Sequence, residues 1–246
     1  MNPLFSIITV SYNAEKTIPA TLKSVSEQTC RLFEYIVIDG ASGDNTVGIV
    51  NKSGIENLIL ISEPDRGIYD AMNKGLGIAK GDYVIFLNAG DSFHSPHTLE
   101  IIANAAMDND YPGIVYGQTQ LVNSQRERVG DRHLKAPEIL TLDSFKNGMV
   151  VCHQAFVVLR KLVDNYDTRY KFSADYEWCI RCLQRSHRNL YIDKILIDYL
   201  SEGVTTANMK KSLWERFKIM CYYYGVFPTI VRHLKFLLRY LKRKNE

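Results

Sequence analysis

Asp91 closes the run Gly81-Asp82-Tyr83-Val84-Ile85-Phe86-Leu87-Asn88-Ala89-Gly90-Asp91, where a short apolar stretch passes into a polar corner ending in a carboxylate. Three earlier apolar stretches end in the same way. They are Val10-Ser11-Tyr12-Asn13, Ile38-Asp39-Gly40-Ala41-Ser42-Gly43-Asp44-Asn45-Thr46 and Glu63-Pro64-Asp65-Arg66-Gly67-Ile68-Tyr69. In an open α/β sheet, ligands bind beyond the carboxyl ends of the strands. A carboxylate there can hold a hard divalent cation and, through it, a phosphate. If the four strands run parallel, all four corners share one edge. Tyr12 would then stack on a base, and Asp39 would accept a hydrogen bond from a base N–H. Arg66 would reach a diphosphate, and Asp91 would carry the metal. The set points to a nucleotide-diphosphate site. The same residue types also serve as turn residues and helix N-caps. Asp44 is read as a cap; Asp39 and Asp91, each ending an apolar strand directly, are read as ligand residues.

The elements that must position these corners alternate. Phe5–Ser11, Glu34–Asp39, Leu58–Ile61 and Tyr83–Leu87 are short apolar runs of the buried-strand kind. Between and after them, Ala14–Gln28, Asn45–Asn51, Ile68–Ala79 and His97–Ala106 carry helical spacing. Such alternation implies parallel βαβ units with right-handed crossovers. Residues 1–110 therefore read as a doubly wound nucleotide-binding half. Beyond it, Ile114–Leu121, Val150–Leu159 and Ile195–Leu200 read as strands, Asn123–Lys135 as a loop and Ser173–Gln184 as a helix. Residues 111–208 are the expected acceptor-binding half of the same domain, and 209–246 a helical tail broken near Gly225 and Pro228.

Other phosphate motifs are missing. No G-x-x-x-x-G-K-[ST] occurs, and Gly75-Leu76-Gly77 with Gly81 lacks G-x-G-x-x-G spacing and closes a helix instead of opening one. A Rossmann dinucleotide site and a sugar nucleotidyltransferase loop are both disfavoured.

The ordered set resembles the inverting family 2 glycosyltransferases of the GT-A fold. It comprises Tyr12-Asn13, Asp39…Ser42…Asp44…Thr46, Asp65-Arg66-Gly67…Asn73-Lys74-Gly75, Ala79 to Val84 and Leu87-Asn88-Ala89-Gly90-Asp91. The resemblance spans most of residues 4–100. It implies an α/β fold, a doubly wound, mainly parallel sheet of Rossmann type. It also implies a nucleotide-sugar donor such as a UDP-sugar, a divalent cation (Mn²⁺ or Mg²⁺) on Asp91, and inversion at the anomeric carbon. Tyr12, Asp39, Asp65, Arg66, Asn88 and His153 are the donor-binding residues so implied. The chain departs from the family at Gly90 and Gly40, where acidic residues are usual. Asn88 or backbone is expected to take over the ribose contact.

Inverting transfer needs a base for the acceptor hydroxyl, and a carboxylate ionised beforehand suits it. In Ser173-Ala174-Asp175-Tyr176-Glu177-Trp178, Ser173 can cap a helix and place Asp175 in its first turn, where the helix dipole favours the charged form. Asp175 and Glu177 are two apart and face different sides. First-turn acids also simply stabilise helices. The resemblance puts the base at Asp175, with Ala174 where the family has Glu. His153, in Cys152-His153-Gln154, is either a contact to metal, diphosphate or acceptor, or a satisfied structural histidine.

The 246 residues are 46% hydrophobic and 23% charged, with a net charge of +3, which lends no support to nucleic-acid binding. No segment is apolar for the ~20 residues of a membrane span. The N-terminus does not read as a signal peptide, so the five scattered cysteines are expected reduced in the cytosol. Cys179-x-x-Cys182 has no second pair for zinc. From Lys210 to Glu246 there are ten Lys or Arg against two Glu. Ile230, Leu234, Leu237, Leu238 and Leu241 lie within about 100° of a helical wheel, opposite a basic arc. Residues 228–244 are therefore expected to lie on an anionic membrane surface, at the cytoplasmic face, near a glycan or lipid-linked acceptor. The alternative is packing against the domain. The missing acidic residues keep open a second reading, a non-catalytic nucleotide- or glycan-binding protein on the same fold.

Overall fold

The structure, a computed structural model, describes residues 3–201 and 209–234. Among these residues nine strands form one sheet. They are β1 (Phe5–Ser11), β2 (Phe33–Asp39), β3 (Leu58–Ser62), β4 (Tyr83–Phe86), β5 (Ser92–Phe93), β6 (Ile114–Val122), β7 (Arg128–Asp131), β8 (Phe156–Leu159) and β9 (Asn189–Leu200). Their spatial order is β3-β2-β1-β4-β8-β6-β9-β5, with β7 paired to β6. β1 pairs in parallel with β2 and β4, β2 with β3, and β6 with β9. β8 runs antiparallel between β4 and β6. Strands β1 to β4, β6 and β9 thus share one direction and end on one edge.

Helices cover both faces, so the central strands are buried on both sides. Every residue of β1 and β2 is buried. Alternate side chains feed two cores. Phe5, Ile7, Tyr35 and Val37 pack with Ile18, Leu22 and Val25 of α1 (Ile18–Ser26) and Leu99, Ile102 and Ala103 of α4 (Thr98–Met107). Val50 of the short α2 (Thr46–Asn51) joins them. Ile8, Val10, Ile36 and Ile38 pack on the other face with Met72 of α3 (Ile68–Ile78) and Trp178 and Cys182 of α5 (Ala174–Arg185). Ile219 and Met220 of α6 (Met209–Tyr224) complete that core. Gly81 is where the backbone enters β4: a Cβ there would lie 2.4 Å from Ser6 N. Only glycine permits that approach.

Four sequence expectations are corrected. Strand Val150–Leu159 shrinks to β8, because residues 153–155 form a tight 3-10 turn that sends His153 and Gln154 to separate partners. The first helix starts at Ile18 instead of Ala14; Pro19 sits in its first turn and Ala14 N is held by Thr46 Oγ1 at 2.8 Å. Asn123–Lys135 contains β7, a hairpin strand too exposed and charged to show alternation. The last strand begins at Asn189, and β5 was not anticipated. The helical break falls as expected: α6 stops at Tyr224, Gly225 has φ +85°, and 226–234 is helical again. Residues 235–244 of the basic amphipathic segment lie outside the described residues. No helix among the described residues is long and apolar enough to cross a membrane.

Candidate active site

The parallel arrangement brings the four corners together at one sheet edge. Those after β1 and β2 are laced by side-chain-to-backbone bonds. Asn13 N donates to Ser42 Oγ at 2.8 Å, Gly43 N to Asn13 Oδ1 at 2.9 Å and Glu15 N to Asp44 Oδ2 at 3.0 Å. Asp44 also accepts from Thr46 N at 3.0 Å; the N-cap position of α2 is Asn45, so Asp44, read from the sequence as a cap, instead closes the turn one residue before it. Tyr12 projects from this lacing, 67% exposed, with a free aromatic face.

Asp65 and Tyr12 converge on Gly40. A Cβ at Gly40 would lie 2.4 Å from Asp65 Oδ2 and 3.4 Å from Tyr12 Cδ2. A side chain at position 40 would have to displace the Asp65 carboxylate, which, steadied by Gly67 N at 2.8 Å, occupies that space. Asp39 has no exposed surface. Its oxygens accept from Ser11 Oγ, Ser42 N, Ser42 Oγ and Ser62 Oγ at 3.1, 2.8, 2.5 and 2.8 Å. Direct contact with a base requires one serine hydroxyl to turn away. Arg66 lies in solvent, its side chain 85% exposed and paired with Asp70 at 2.9 Å.

Asp91 is placed differently from the sequence expectation. It is only 4% exposed. Its Oδ1 accepts from Leu200 N at 3.0 Å and its Oδ2 from Gln154 Nε2 at 2.7 Å. Burial raises its pKa to about 7; the Leu200 and Gln154 bonds and the nearby Arg126 pull the other way. Arg126 Nη1 donates to Gly90 O at 2.7 Å, and its other terminal nitrogen meets Ser92 Oγ. Gly90 has φ +106°, and a Cβ there would meet Leu200 Cδ2 at 2.8 Å, so the corner is shaped for glycine. Among the described residues no group of three or more His, Cys, Asp or Glu side chains could hold an ion. A hard cation needs oxygen ligands free to face it. This corner presents one buried carboxylate, each oxygen accepting one hydrogen bond, with no companion His, Cys, Asp or Glu cluster among the described residues, and so does not fit a metal centre built by the protein on Asp91. Asn88 Oδ1, by contrast, is buried with no hydrogen-bond partner and is an acceptor awaiting a donor.

Asp175 lies half-buried in the first turn of α5. Tyr69 OH, from α3, donates to its Oδ1 at 3.1 Å, and Tyr176 N donates to the same oxygen at 2.9 Å. Glu177 faces away, as its spacing requires: it takes Arg181 Nε at 2.8 and 2.9 Å and Tyr223 OH at 2.5 Å, tying α5 to α6. Ser173 occupies the N-cap position without capping, because its hydroxyl turns to Ser212 at 3.0 Å. Glu215 instead accepts Lys171 N and Phe172 N at 2.9 and 2.8 Å, which fixes the approach to the helix.

His153 sits behind this wall, 4% exposed. Its ring stacks on Phe86 at 4.9 Å, and Nε2 meets Tyr166 OH at 2.6 Å. Burial lowers its pKa to about 4 against the opposing pull of Asp175, so the imidazole is neutral near pH 7. Tyr166 in turn stacks between Tyr69 at 5.5 Å and Trp178 at 5.1 Å. Sequence reasoning assigned no role to Tyr69, Tyr166, Gln154 or Arg126. Tyr69 was within the third corner, and Gln154 beside His153, but only folding reveals their partners.

The family model described as glycosyl transferase family 2 matches residues 6–166. A PGL/p-HBAD biosynthesis glycosyltransferase of Mycobacterium tuberculosis is 35% identical over 186 residues, covering 73% of this chain and 70% of that one. The amylovoran biosynthesis glycosyltransferase AmsB of Erwinia amylovora is 27% identical over 213 residues, covering 79% and 69%. Among solved structures, S. aureus TarS 1-349 in complex with UDP-GlcNAc superposes with a TM-score of 0.72 at 21% identity, covering 94% of this chain and 73% of that one. The mannosyltransferase PcManGT from Pyrobaculum calidifontis, in complex with GDP-Man and Mn²⁺, gives 0.64 at 16% identity, covering 94% and 74%. The GT-A fold expected from the sequence is therefore the fold observed.

Proposed function

Since the chain belongs to glycosyl transferase family 2 and is a glycosyltransferase, we propose that it moves a sugar, with inversion, from a nucleoside-diphosphate sugar to a hydroxyl of a glycan or lipid-linked acceptor in cell-surface polysaccharide or glycolipid assembly. The observation that carries this reading is Asp175, a half-buried carboxylate held by Tyr69 beside the corner edge. The non-catalytic alternative loses its ground with the family assignment.

In the proposed reaction, the nucleotide lies over the corners of β1, β2 and β3. Tyr12 supplies a stacking face, and Asp65 beside Gly40 supplies an acceptor for base or ribose donors. Asp39 organises the corner through its serines. Asn88 Oδ1 takes a ribose or sugar hydroxyl, which would satisfy its unmet bond. Asp175 removes the acceptor hydroxyl proton as that oxygen attacks the anomeric carbon from the face opposite the leaving group. The bond from that carbon to the diphosphate oxygen breaks, and the nucleoside diphosphate departs. His153, neutral and enclosed, keeps Tyr166 and Tyr69 in place. TarS and PcManGT were solved with UDP-GlcNAc and GDP-Man respectively; a UDP-sugar is the donor proposed here. A divalent cation would neutralise charge on the diphosphate. The protein shows no fitting site for one on Asp91, so no step depends on it.

The setting proposed is the cytoplasmic membrane surface. Leu213, Trp214, Val226, Phe227, Ile230 and Leu234 are all exposed on α6 and the following helix. Lys218 lies 5.5 Å over the Trp214 ring. Basic and aromatic side chains exposed along these helices suit an anionic interface.

The test is a panel of nucleotide sugars incubated with wild-type protein and with Asp175→Asn, with Mn²⁺ or with EDTA, following nucleoside diphosphate release. Release from one donor by wild type and its loss in Asp175→Asn is expected. Full release by Asp175→Asn would overturn the assignment of the base.

A further inference from the structure

A cavity of about 380 Å³ lies between β6, β9 and the segment 131–136. Its lining includes Thr119, Arg128, Asp131, Arg132, Lys135 and Cys152. The volume falls in the range of small-molecule sites. Cys152 is the partition between this cavity and the corner edge. Burial raises its thiol pKa, Arg132 lowers it from the cavity side and Asp91 raises it from the other. Ala136 and Val150, also in the lining, belong to the same core as Ala174, Tyr166 and Trp178. The cavity thus borders the core on which α5 packs, with Cys152, a member of the opposite core, at its back.

Its electrostatics are unbalanced. Asp131 is shared by two cations, Arg128 Nη2 at 2.7 Å and Lys135 Nζ at 3.3 Å. Asp193 already accepts from Tyr191 OH at 2.9 Å. Arg132 is half-buried, anchored by one bond from Nη2 to Met149 O at 2.9 Å, and has no carboxylate partner among the described residues. A guanidinium left without a counter-ion in a concave, partly dry site is costly unless an anion completes it. The Thr119 hydroxyl is more than nine-tenths buried in the same cavity, with the Cys152 sulfur as its polar neighbour and no oxygen or nitrogen partner.

We propose that this cavity is an acceptor subsite for an oxyanion, a phosphate or carboxylate carried by the acceptor molecule. Arg132 binds the anion through its free guanidinium edge, and Thr119 donates its hydroxyl. Arg128 and Lys135 rim the entrance. The inference rests on the glycosyltransferase reading only for the word acceptor; the anion site itself is independent of it.

The experiment is calorimetric titration of the full chain with inorganic phosphate and, separately, with glucuronate. Saturating UDP is present throughout to keep either probe out of the donor site. Saturable binding of at least one probe is expected, with affinity reduced at least tenfold in Arg132→Gln. Thr119→Val, a near-isosteric change, is expected to weaken it less and serves should Arg132→Gln fail to fold. UDP affinity should be unchanged in both variants. Binding of phosphate alone assigns a phosphorylated acceptor, and of glucuronate alone a carboxylated one. Absence of binding for both probes, or equal binding by wild type and both variants, overturns the proposal. Loss of donor turnover with the anion site intact would instead count against the glycosyltransfer reading.

Discussion

The Tyr69 hydroxyl donates to Asp175 Oδ1 at 3.1 Å across 106 residues of sequence, joining the first turn of α3 to the first turn of α5. One helix follows the third corner, the other carries the candidate base. The bond therefore sets the candidate base relative to the third corner. Removing it in Tyr69→Phe leaves the ring and its stacking on Tyr166. A hydrogen bond to a charged group contributes about 1.5–3 kcal/mol. The expected result is a roughly 10- to 100-fold fall in kcat with a smaller change in the donor KM. Steady-state kinetics on the donor found in the nucleotide-sugar panel will measure it; an unchanged kcat would remove Tyr69 from the positioning of the base.

Asp91 makes a stability statement that depends on pH. Its pKa stands at about 7 in the folded chain, above the ordinary carboxylate value of 3.8. Below the ordinary value the group is protonated in both states. Between about pH 4 and about pH 7 the unfolded chain has released the proton and the folded chain retains it, so stability falls as pH rises, by up to about 1.4 kcal/mol per unit. Asp91→Asn has no such slope. Urea unfolding of both proteins across that window should show wild type losing ground steadily to the variant. Parallel curves would refute the buried, proton-retaining Asp91. His153 acts in the opposite sense in both proteins, its burial eroding stability as pH falls from about 6.5 towards about 4, and so cancels in the comparison.

Gly90→Asp tests whether the corner merely lacks a carboxylate. With φ at +106° and Leu200 Cδ2 2.8 Å from the would-be Cβ, the substitution is expected to destabilise the fold by about 1–3 kcal/mol and to create no cation site. Thermal melting with and without Mn²⁺ checks both parts. A stable variant with a Mn²⁺-dependent rise in Tm would show that the corner can accept the missing ligand.

The exposed face of α6 offers a separate handle. Leu213→Ser with Trp214→Ser should weaken co-sedimentation with anionic phospholipid vesicles severalfold, because both side chains are more than half exposed and offer their apolar surface to the bilayer. Donor hydrolysis in solution should be unaffected. Equal sedimentation of the double variant and wild type would place the membrane contact elsewhere in the chain.

The first half of the fold was legible residue by residue. β1 runs Phe5–Ser11 as its apolar pattern requires, and β2, β3, α3 and β4 lie within a residue or so of their sequence limits. Strand and helix periods are local signals, and in buried parallel strands they are strong. The second half was less legible. β8 is four residues long and held by neighbours on both sides, and β7 is an exposed charged hairpin strand. Their existence depends on pairing, which leaves little trace in a short sequence window.

For the site, residue types and order alone determined that four polar corners follow four apolar strands, that they share an edge, and that Asp175 and Glu177 point apart. Each follows from chain geometry at short range. Tertiary structure alone decided which carboxylates remain open to a ligand. Asp39 is closed by three serines and Asp91 by Leu200 and Gln154, whereas Asp65 fills the space over Gly40 and Asp175 stays half-open beside Tyr69. The reason is that a carboxylate's role is set by burial and by the donors that reach it. The deciding donors include ones far away in sequence, as |i−j| of 23 for Ser62 and 109 for Leu200 shows.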